Sequence, residues 1–342
     1  MFRIIFVFLL MALSAPALDV RSREPYYGAA VIDADTGVIL AEDHAAAQGY
    51  PASMIKLANL FVLFDDLRAG KIHLTDRVVV SREVAQIGGR QVWLKEGEVF
   101  SVEELMFAMM IHSANDAAAA LAIHASGSRD AHAARMTAKA KELGLRNTEF
   151  GSVHGLPPGT GQKADVSSAL DIALLSRALI LHYPQTFKYT SVSSRDFREE
   201  KPVRLTTSNK LLATFRGCDG LKTGYISAGG FSTAVTAQRD GRRVIAVILG
   251  SKEAKVRDAK AAEWLEKGFA LVHQKAPLPV KEDAVELPAV ITQDSAPATE
   301  TVKRKNHFML PLSIGIPVAA VVVIVLLNRR RTGRDNRGRF EI

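Results

Sequence analysis

Cysteine is almost absent. Cys218 is the only one among 342 residues, so no intrachain disulfide can form and the fold must rely on its core. Hydrophobic residues make up 48% of the chain, which is enough for that. Metal-ligand patterns are missing too. None of the nine histidines stands in H-E-x-x-H or at a paired-ligand spacing, so neither a metal site nor a cofactor is expected. Residues 18–275 contain no internal repeat and no low-complexity stretch, and read as one continuous globular region. Excess charge is absent from that region as well. The net charge is +8, but nine of the 44 basic and only two of the 36 acidic residues lie in 303–342, and Arg3 adds one more basic group. The rest is neutral, which excludes a nucleic-acid-binding surface and any nucleic-acid partner.

What is present at the two ends points to export and a membrane. Arg3, the apolar run Ile4 to Leu13 and Ala15-Pro16-Ala17 form a secretory signal peptide over residues 1–17; the plainer alternative is a buried N-terminal helix. Phe308 to Leu327 is an uncharged apolar run about as long as a bilayer crossing. Pro311, Gly315 and Pro317 weaken it as a soluble helix but are tolerated in a membrane. Lys303, Arg304 and Lys305 precede it, and a heavier cluster beginning at Arg329-Arg330-Arg331 follows. The expectation is a single-pass transmembrane helix over 308–327 in the cell membrane. The globular region, residues 18–275, then lies on the extracytoplasmic side, 276–307 is a tether and 328–342 a basic cytoplasmic tail.

Apolar patterning within 18–275 predicts strands at both ends and helices between. Ala29–Ile32 and Val38–Ala41 flank Asp33-Ala34-Asp35-Thr36-Gly37 and read as a hairpin. Leu57, Leu60, Phe61 and Phe64 recur at helical spacing after Pro51-Ala52. Further helices are expected over Leu105–Met110, opened by Ser101 with Glu103 and Glu104; over Ala117–Ala125; and over Ser167–Leu181, with Ser167 as N-cap. Strands Gly230–Ala237 and Val244–Leu249 and a closing helix, Arg257–His273, end the region. The fold class is therefore α+β: an antiparallel sheet flanked by helices, with a mainly helical lobe.

Three short motifs carry the chemistry. Ser53 and Lys56 are three residues apart at the start of a helix, so they share one face. A serine hydroxyl needs a nearby base, and a lysine serves only when neutral, a state favoured by burial or a neighbouring cation such as Lys222. Ser113-Ala114-Asn115-Asp116 is a polar break between two helical patterns. There Ser113 is a candidate proton relay, Asn115 a candidate to orient Lys56 or hold a substrate amide, and Asp116 a structural N-cap. Lys222-Thr223-Gly224 marks a strand edge able to pair with an extended peptide, offering its carboxylate a cation and a hydroxyl. Gly224 permits close backbone approach. The backbone N–H groups of Ser53 and Tyr225 are the candidate oxyanion donors. Each motif alone reads more plainly as a capped helix, a connecting turn or a surface lysine; the combination is what points to acyl transfer through a serine. His112 and His154 lie near these segments, residues 151–161 read as a loop beside them, and Cys218 reads as a packed small residue.

A set of this kind is a recognised pattern of β-lactamases and penicillin-binding proteins. With Pro51-Ala52-Ser53, Ser113-Ala114-Asn115-Asp116-Ala117, His154-Gly155-Leu156-Pro157 and Asp219-Gly220-Leu221-Lys222-Thr223-Gly224, residues 25–275 resemble the serine D-alanyl-D-alanine carboxypeptidases, the low-molecular-mass penicillin-binding proteins. The resemblance implies a five-stranded antiparallel sheet beside a helical lobe. It implies that Ser53 is acylated by the D-Ala-D-Ala end of a peptidoglycan stem peptide and releases D-alanine, with β-lactam antibiotics as covalent inhibitors. By position it also implies that Arg257 helps bind the terminal carboxylate. Many relatives carry a second, β-rich domain and an amphipathic anchor, where a tether and an apolar span are expected here. Met54, Ile55 and His112 are not the commonest choices beside the motifs. Three alternatives stay open: a D,D-endopeptidase with the same residues; a β-lactamase, against which the absence of glutamate from 151–165 counts; and a non-catalytic, membrane-tethered peptidoglycan-binding module, for which a nucleophile and base together have no use.

Overall fold

The expected hairpin forms from β1 (Gly28–Asp33) and β2 (Ile39–Asp43) in a computed structural model that describes residues 18–198 and 202–274. Asp33 closes its turn, Oδ1 accepting from the backbone N–H of Asp35 at 2.9 Å and of Thr36 at 3.3 Å. A 3₁₀ turn, Ala52–Ile55, runs into α1 (Lys56–Arg68), which buries Leu57, Leu60, Phe61 and Phe64. The chain continues through β3 (Arg77–Val79), α2 (Arg82–Ala85) and β4 (Val99–Ser101), with β3 and β4 paired. α3 (Val102–Ile111) opens on a capping box. Ser101 Oγ accepts from Glu104 N at 3.2 Å, and Glu104 Oε2 accepts from Ser101 N at 2.8 Å. α4 (Asn115–Ser126), α5 (Arg129–Glu142) and α6 (Ala169–His182) complete the helical lobe.

Next come α7 (Phe187–Thr190), a small hairpin of β5 (Ser194–Phe197) with β6 (Val203–Thr206), and α8 (Leu211–Thr214). The chain then returns to the main sheet with β7 (Cys218–Ile226), β8 (Gly230–Arg239) and β9 (Arg242–Ser251), and α9 (Ala254–Gln274) follows. The sheet is antiparallel throughout, in the order β2-β1-β9-β8-β7, so strands from opposite ends of the region meet at β1 and β9. Strand alternation sends Ala30, Ile32, Ile245, Val247 and Leu249 toward the helical lobe. It sends Ala29, Val31, Val244, Ala246 and Ile248 toward α9, where Trp264, Leu265 and Phe269 cover them. Both faces are dry, so a one-residue slip would exchange two buried sets of unlike size, which fixes the register.

Two cap assignments are corrected. The N-cap of α6 is Ser168, whose Oγ accepts from Asp171 N, not Ser167. Ser167 instead pairs its backbone with Gly49 and its hydroxyl with Thr148. Asp116 does not cap α4; Ala114 holds that position. The Asp116 carboxylate is buried and accepts from the N–H groups of Val92 and Leu94, each at 3.1 Å, so it anchors the preceding loop. α9 begins at Ala254, one turn before the expected start. Among the described residues no helix is long and apolar enough to cross a membrane. The expected signal peptide, tether, apolar span and basic tail lie outside the described residues. β7 is the edge strand beside the 3₁₀ turn, and that neighbourhood sets the site.

Candidate active site

Ser53 sits in the 3₁₀ turn and Lys56 is the first residue of α1, so one tight turn presents both side chains together. The turn is held under constraint. Ala52 is forced to φ 48°, a region that side-chain-bearing residues rarely adopt. Gly155 (φ 85°) packs so closely that a Cβ there would lie 2.3 Å from the Ala52 carbonyl and 2.8 Å from Ser53 N. Gly224 closes from β7, where a Cβ would lie 2.5 Å from Pro51 O and 3.2 Å from Ser53 N. The Ser53 peptide is thus held between two backbones, neither of which has room for a side chain.

Lys56 is fully buried. Its Nζ lies 3.0 Å from Ser53 Oγ, 2.8 Å from Asn115 Oδ1 and 2.6 Å from the His154 carbonyl. No carboxylate is among these partners. A neutral amine fits the set, with two N–H groups for the oxygens of Asn115 and His154 and a lone pair for the Ser53 hydroxyl. The electrostatics favour that form. Burial first, then the charge of Lys222, push the Lys56 pKa well below the usual lysine range, outweighing the opposite pull of Asp165 and Asp116. Asn115 is oriented by its surroundings, since its Nδ2 donates to Gly88 O at 3.0 Å and its backbone N to Arg90 O at 2.8 Å. Its Oδ1 is thereby aimed at Lys56.

Ser113 is held at φ 63° between α3 and α4 and lines, with Ser53 and Asn115, a cleft of about 790 Å³. Thr223, Gly224 and Tyr225 of the β7 edge and Arg257 of α9 line it as well. Lys222 is buried beneath it, with Nζ donating to Thr223 O at 3.0 Å. Burial, then Arg90 and Arg257, lower the Lys222 pKa to about 7. Arg257 is buried, and its Nε and Nη2 both donate to Asp258 Oδ1. All nine candidate residues therefore converge on one cleft or its floor.

A family model for D-alanyl-D-alanine carboxypeptidase matches residues 15–253. The chain belongs to that family. Within the D-alanyl-D-alanine carboxypeptidases it is similar to DacF of Bacillus subtilis, 34% identical over 71% of this chain and 61% of the relative, and to DacC of Escherichia coli, 34% identical over 79% and 66%. The chain thus spans about 61–66% of the length of these curated relatives. Among solved structures, DacD of Francisella tularensis superposes with a TM-score of 0.67 at 26% identity, covering 75% of this chain and 72% of that one. Penicillin-binding protein D2 of Listeria monocytogenes in its cefotaxime-bound form gives 0.65 at 30%, covering 74% and 99%. The penicillin-binding-protein fold is the α+β architecture described above.

Family membership leaves several residues of this cleft that the motifs did not reveal. The His154 carbonyl is a main Lys56 partner, yet a backbone oxygen leaves no mark on sequence. The His154 ring accepts from Leu156 N and is kept neutral, its pKa lowered to about 3 by burial and then by Lys56 and Arg129. The His112 ring accepts weakly from Thr206 N and is lowered to about 4 by burial and then by Arg90 and Lys222. Neither ring is an acid near neutral pH. Arg90 lines the cleft and donates to Ser208 Oγ and Thr206 O, tying the 206–208 segment across it. A lone arginine after two glycines gave no signal. Cys218 is partly buried on the α9 side, its thiol pKa raised by burial.

Gly155→Ala should lower unfolding free energy by roughly 1–3 kcal/mol, through clash and backbone strain together. Gly88→Ala, whose added Cβ meets nothing within 4 Å, should stay within about 0.5 kcal/mol. Urea unfolding midpoints of the two proteins test the contrast, and equal midpoints would remove the packing role of Gly155.

Proposed function

We propose that this chain is a serine D-Ala-D-Ala carboxypeptidase that removes the terminal D-alanine of peptidoglycan stem peptides through an acyl-enzyme on Ser53. The observation that carries the reading is the fully buried Lys56 amine at 3.0 Å from Ser53 Oγ with no carboxylate among its hydrogen-bond partners. An extended peptide lies along the open edge of β7. Its terminal carboxylate meets Lys222, Thr223 and Arg257. Neutral Lys56 takes the Ser53 proton as Oγ bonds to the carbonyl carbon. The N–H groups of Ser53 and Tyr225 receive the oxyanion. The C–N bond breaks as the proton passes through Ser113 to the leaving amine, and D-alanine departs. Water then attacks the ester as Lys56 takes its proton, and Lys56 passes that proton to Ser53 Oγ as the ester C–O bond breaks, freeing the shortened peptide and restoring both groups.

β-Lactams should acylate the same serine; the structures of the Listeria relative in cefotaxime- and ampicillin-bound forms support this by analogy. Efficient penicillin hydrolysis is disfavoured. The carboxylate of the 151–165 loop, Asp165, is committed to Gly151 N, Ser152 N and Ser152 Oγ. The membrane reading from sequence is retained as part of the proposal: an exported catalytic domain held by residues 308–327.

Mass spectrometry after incubation with benzylpenicillin should find a stable adduct on Ser53 and none on Ser53→Ala. Lys56→Ala should acylate about 10²–10⁴-fold more slowly while keeping its fold. An adduct on Ser53→Ala, or an unchanged rate in Lys56→Ala, would sink the mechanism. Rapid penicillin turnover would point to a β-lactamase instead.

The pH dependence has a definite sign. At low pH kcat/KM falls because Lys56 gains a proton and ceases to be a base. Above about pH 7 it falls again because Lys222 loses its charge and with it the hold on the carboxylate. Arg257→Gln removes a positive neighbour, so it should move the upper limb to higher pH while lowering kcat/KM. A flat profile over roughly pH 6 to 9 would contradict these assignments.

For the anchor, cell fractionation should leave the protein in carbonate-washed membranes, and deletion of residues 303–342 should release it. A full-length protein found in the soluble fraction would end that part of the proposal.

A further inference from the structure

The cleft holds more positive charge than one terminal carboxylate requires. Arg90, Lys210 and Arg257 all line it, above Lys222. Its carboxylate, that of Asp258, is engaged by Arg257. Arg90 and Lys210 form no ion pair among the described residues.

Arg90 is the less ordinary of the two. Arg90 is exposed along the cleft, and partial burial of its guanidinium head lowers its pKa with no acidic neighbour opposing. Two hydrogen bonds aim the fork: Nη1 donates to Ser208 Oγ at 2.6 Å and Nη2 to Thr206 O at 3.2 Å. Both acceptors are neutral, and three of the five N–H donors remain for a ligand. The fork is thus oriented while its charge has no ion-pair partner among the described residues. Here it stands on the wall of a cleft that takes a peptide. Lys210 stands two residues beyond Ser208 on the same wall, exposed.

The residues assigned to the terminal carboxylate, Lys222, Thr223 and Arg257, belong to β7 and α9. Arg90 belongs to the loop that Asn115 and Asp116 anchor. A peptide with a single carboxylate leaves Arg90 unanswered. We propose that Arg90, with Lys210 on the same wall, forms a second carboxylate subsite that favours peptides whose residue before D-Ala-D-Ala carries a free side-chain carboxylate. A planar fork suits such a group and rejects its amide, which would leave a charge unpaired.

This inference rests on the carboxypeptidase reading, and one experiment separates the two. The probes are acetylated tripeptides ending in D-Ala-D-Ala whose first residue is diaminopimelate, with the distal carboxylate free or amidated. The readout is kcat/KM for D-alanine release. The free acid should be preferred about 10-fold or more. Arg90→Gln should cut that ratio at least about five-fold, and Arg90→Lys, which keeps the charge but loses the fork, should keep only part of it. In the unaltered protein the ratio should shrink as salt rises from about 50 to 500 mM, a measurement that needs no variant to fold. A ratio near one, a ratio indifferent to salt, or one unchanged in Arg90→Gln overturns the subsite while leaving the activity standing. Failure of both peptides to yield D-alanine overturns the activity and the subsite together.

Discussion

A buried lysine amine with no carboxylate beside it is the constraint on which the rest of this structure depends. Charging Lys56 in that position would strand an ammonium away from water, so the fold favours its neutral form. Its three partners come from separate segments: the 3₁₀ turn, the first residue of α4 and the loop at His154. The amine is therefore positioned only when the helical lobe and the loop are both seated on α1. Asp116 contributes from one residue further on, pinning the loop whose Gly88 and Arg90 carbonyls orient Asn115. A basic amine thus depends on packing spread over more than a hundred residues.

Rigidity around the nucleophile has a cost, and its location is visible. Ala52 and Ser113 both hold positive φ without being glycine, each at roughly 1–3 kcal/mol. Both flank reacting groups. The strain is sustained by what lies on either side: the sheet, dry on both faces and fixed in register, and the glycine-bearing backbones that leave the Ser53 peptide no other place. β7 combines these roles. Its inner edge belongs to the sheet, Gly224 presses on the turn, and its outer edge borders the cleft.

Much of this was legible because the signals were local. Alternating apolar residues gave β1, β2, β8 and β9, helical spacing gave α1, α3, α4 and α6, and three motifs gave the groups that meet at the cleft. What escaped had no local signature. α5 buries only His132, Ala133, Met136 and Ala140, so its apolar stripe is too thin to read. The small hairpins pair through strands of three and four residues, too short for alternation to register. The cap of α6 was misplaced by one because two serines stand in a row and the hydroxyl that accepts Asp171 N is fixed by tertiary packing. Arg90 and the His154 carbonyl act through where the chain carries them, which spacing alone does not encode.

On the proposed chemistry, the surplus of cations explains why one site can treat two acyl donors differently. Lys222 sits among the positive neighbours Arg90 and Arg257, and the charges of Lys222 and Arg90 in turn help hold Lys56 neutral. A bound peptide brings a carboxylate that offsets this charge. When the C–N bond breaks, that carboxylate leaves with D-alanine, the cation excess returns, and Lys56 is again favoured as a free base for the incoming water. A β-lactam cannot complete this exchange. Ring opening leaves the departing amine and its carboxylate tethered to the acyl group, so the anion stays beside Lys222 and the water's approach stays blocked. Asp165 is committed to Gly151 and Ser152, and Asp258, the carboxylate lining the cleft, is engaged by Arg257. The long life of the penicillin adduct then follows from where the leaving group's charge goes.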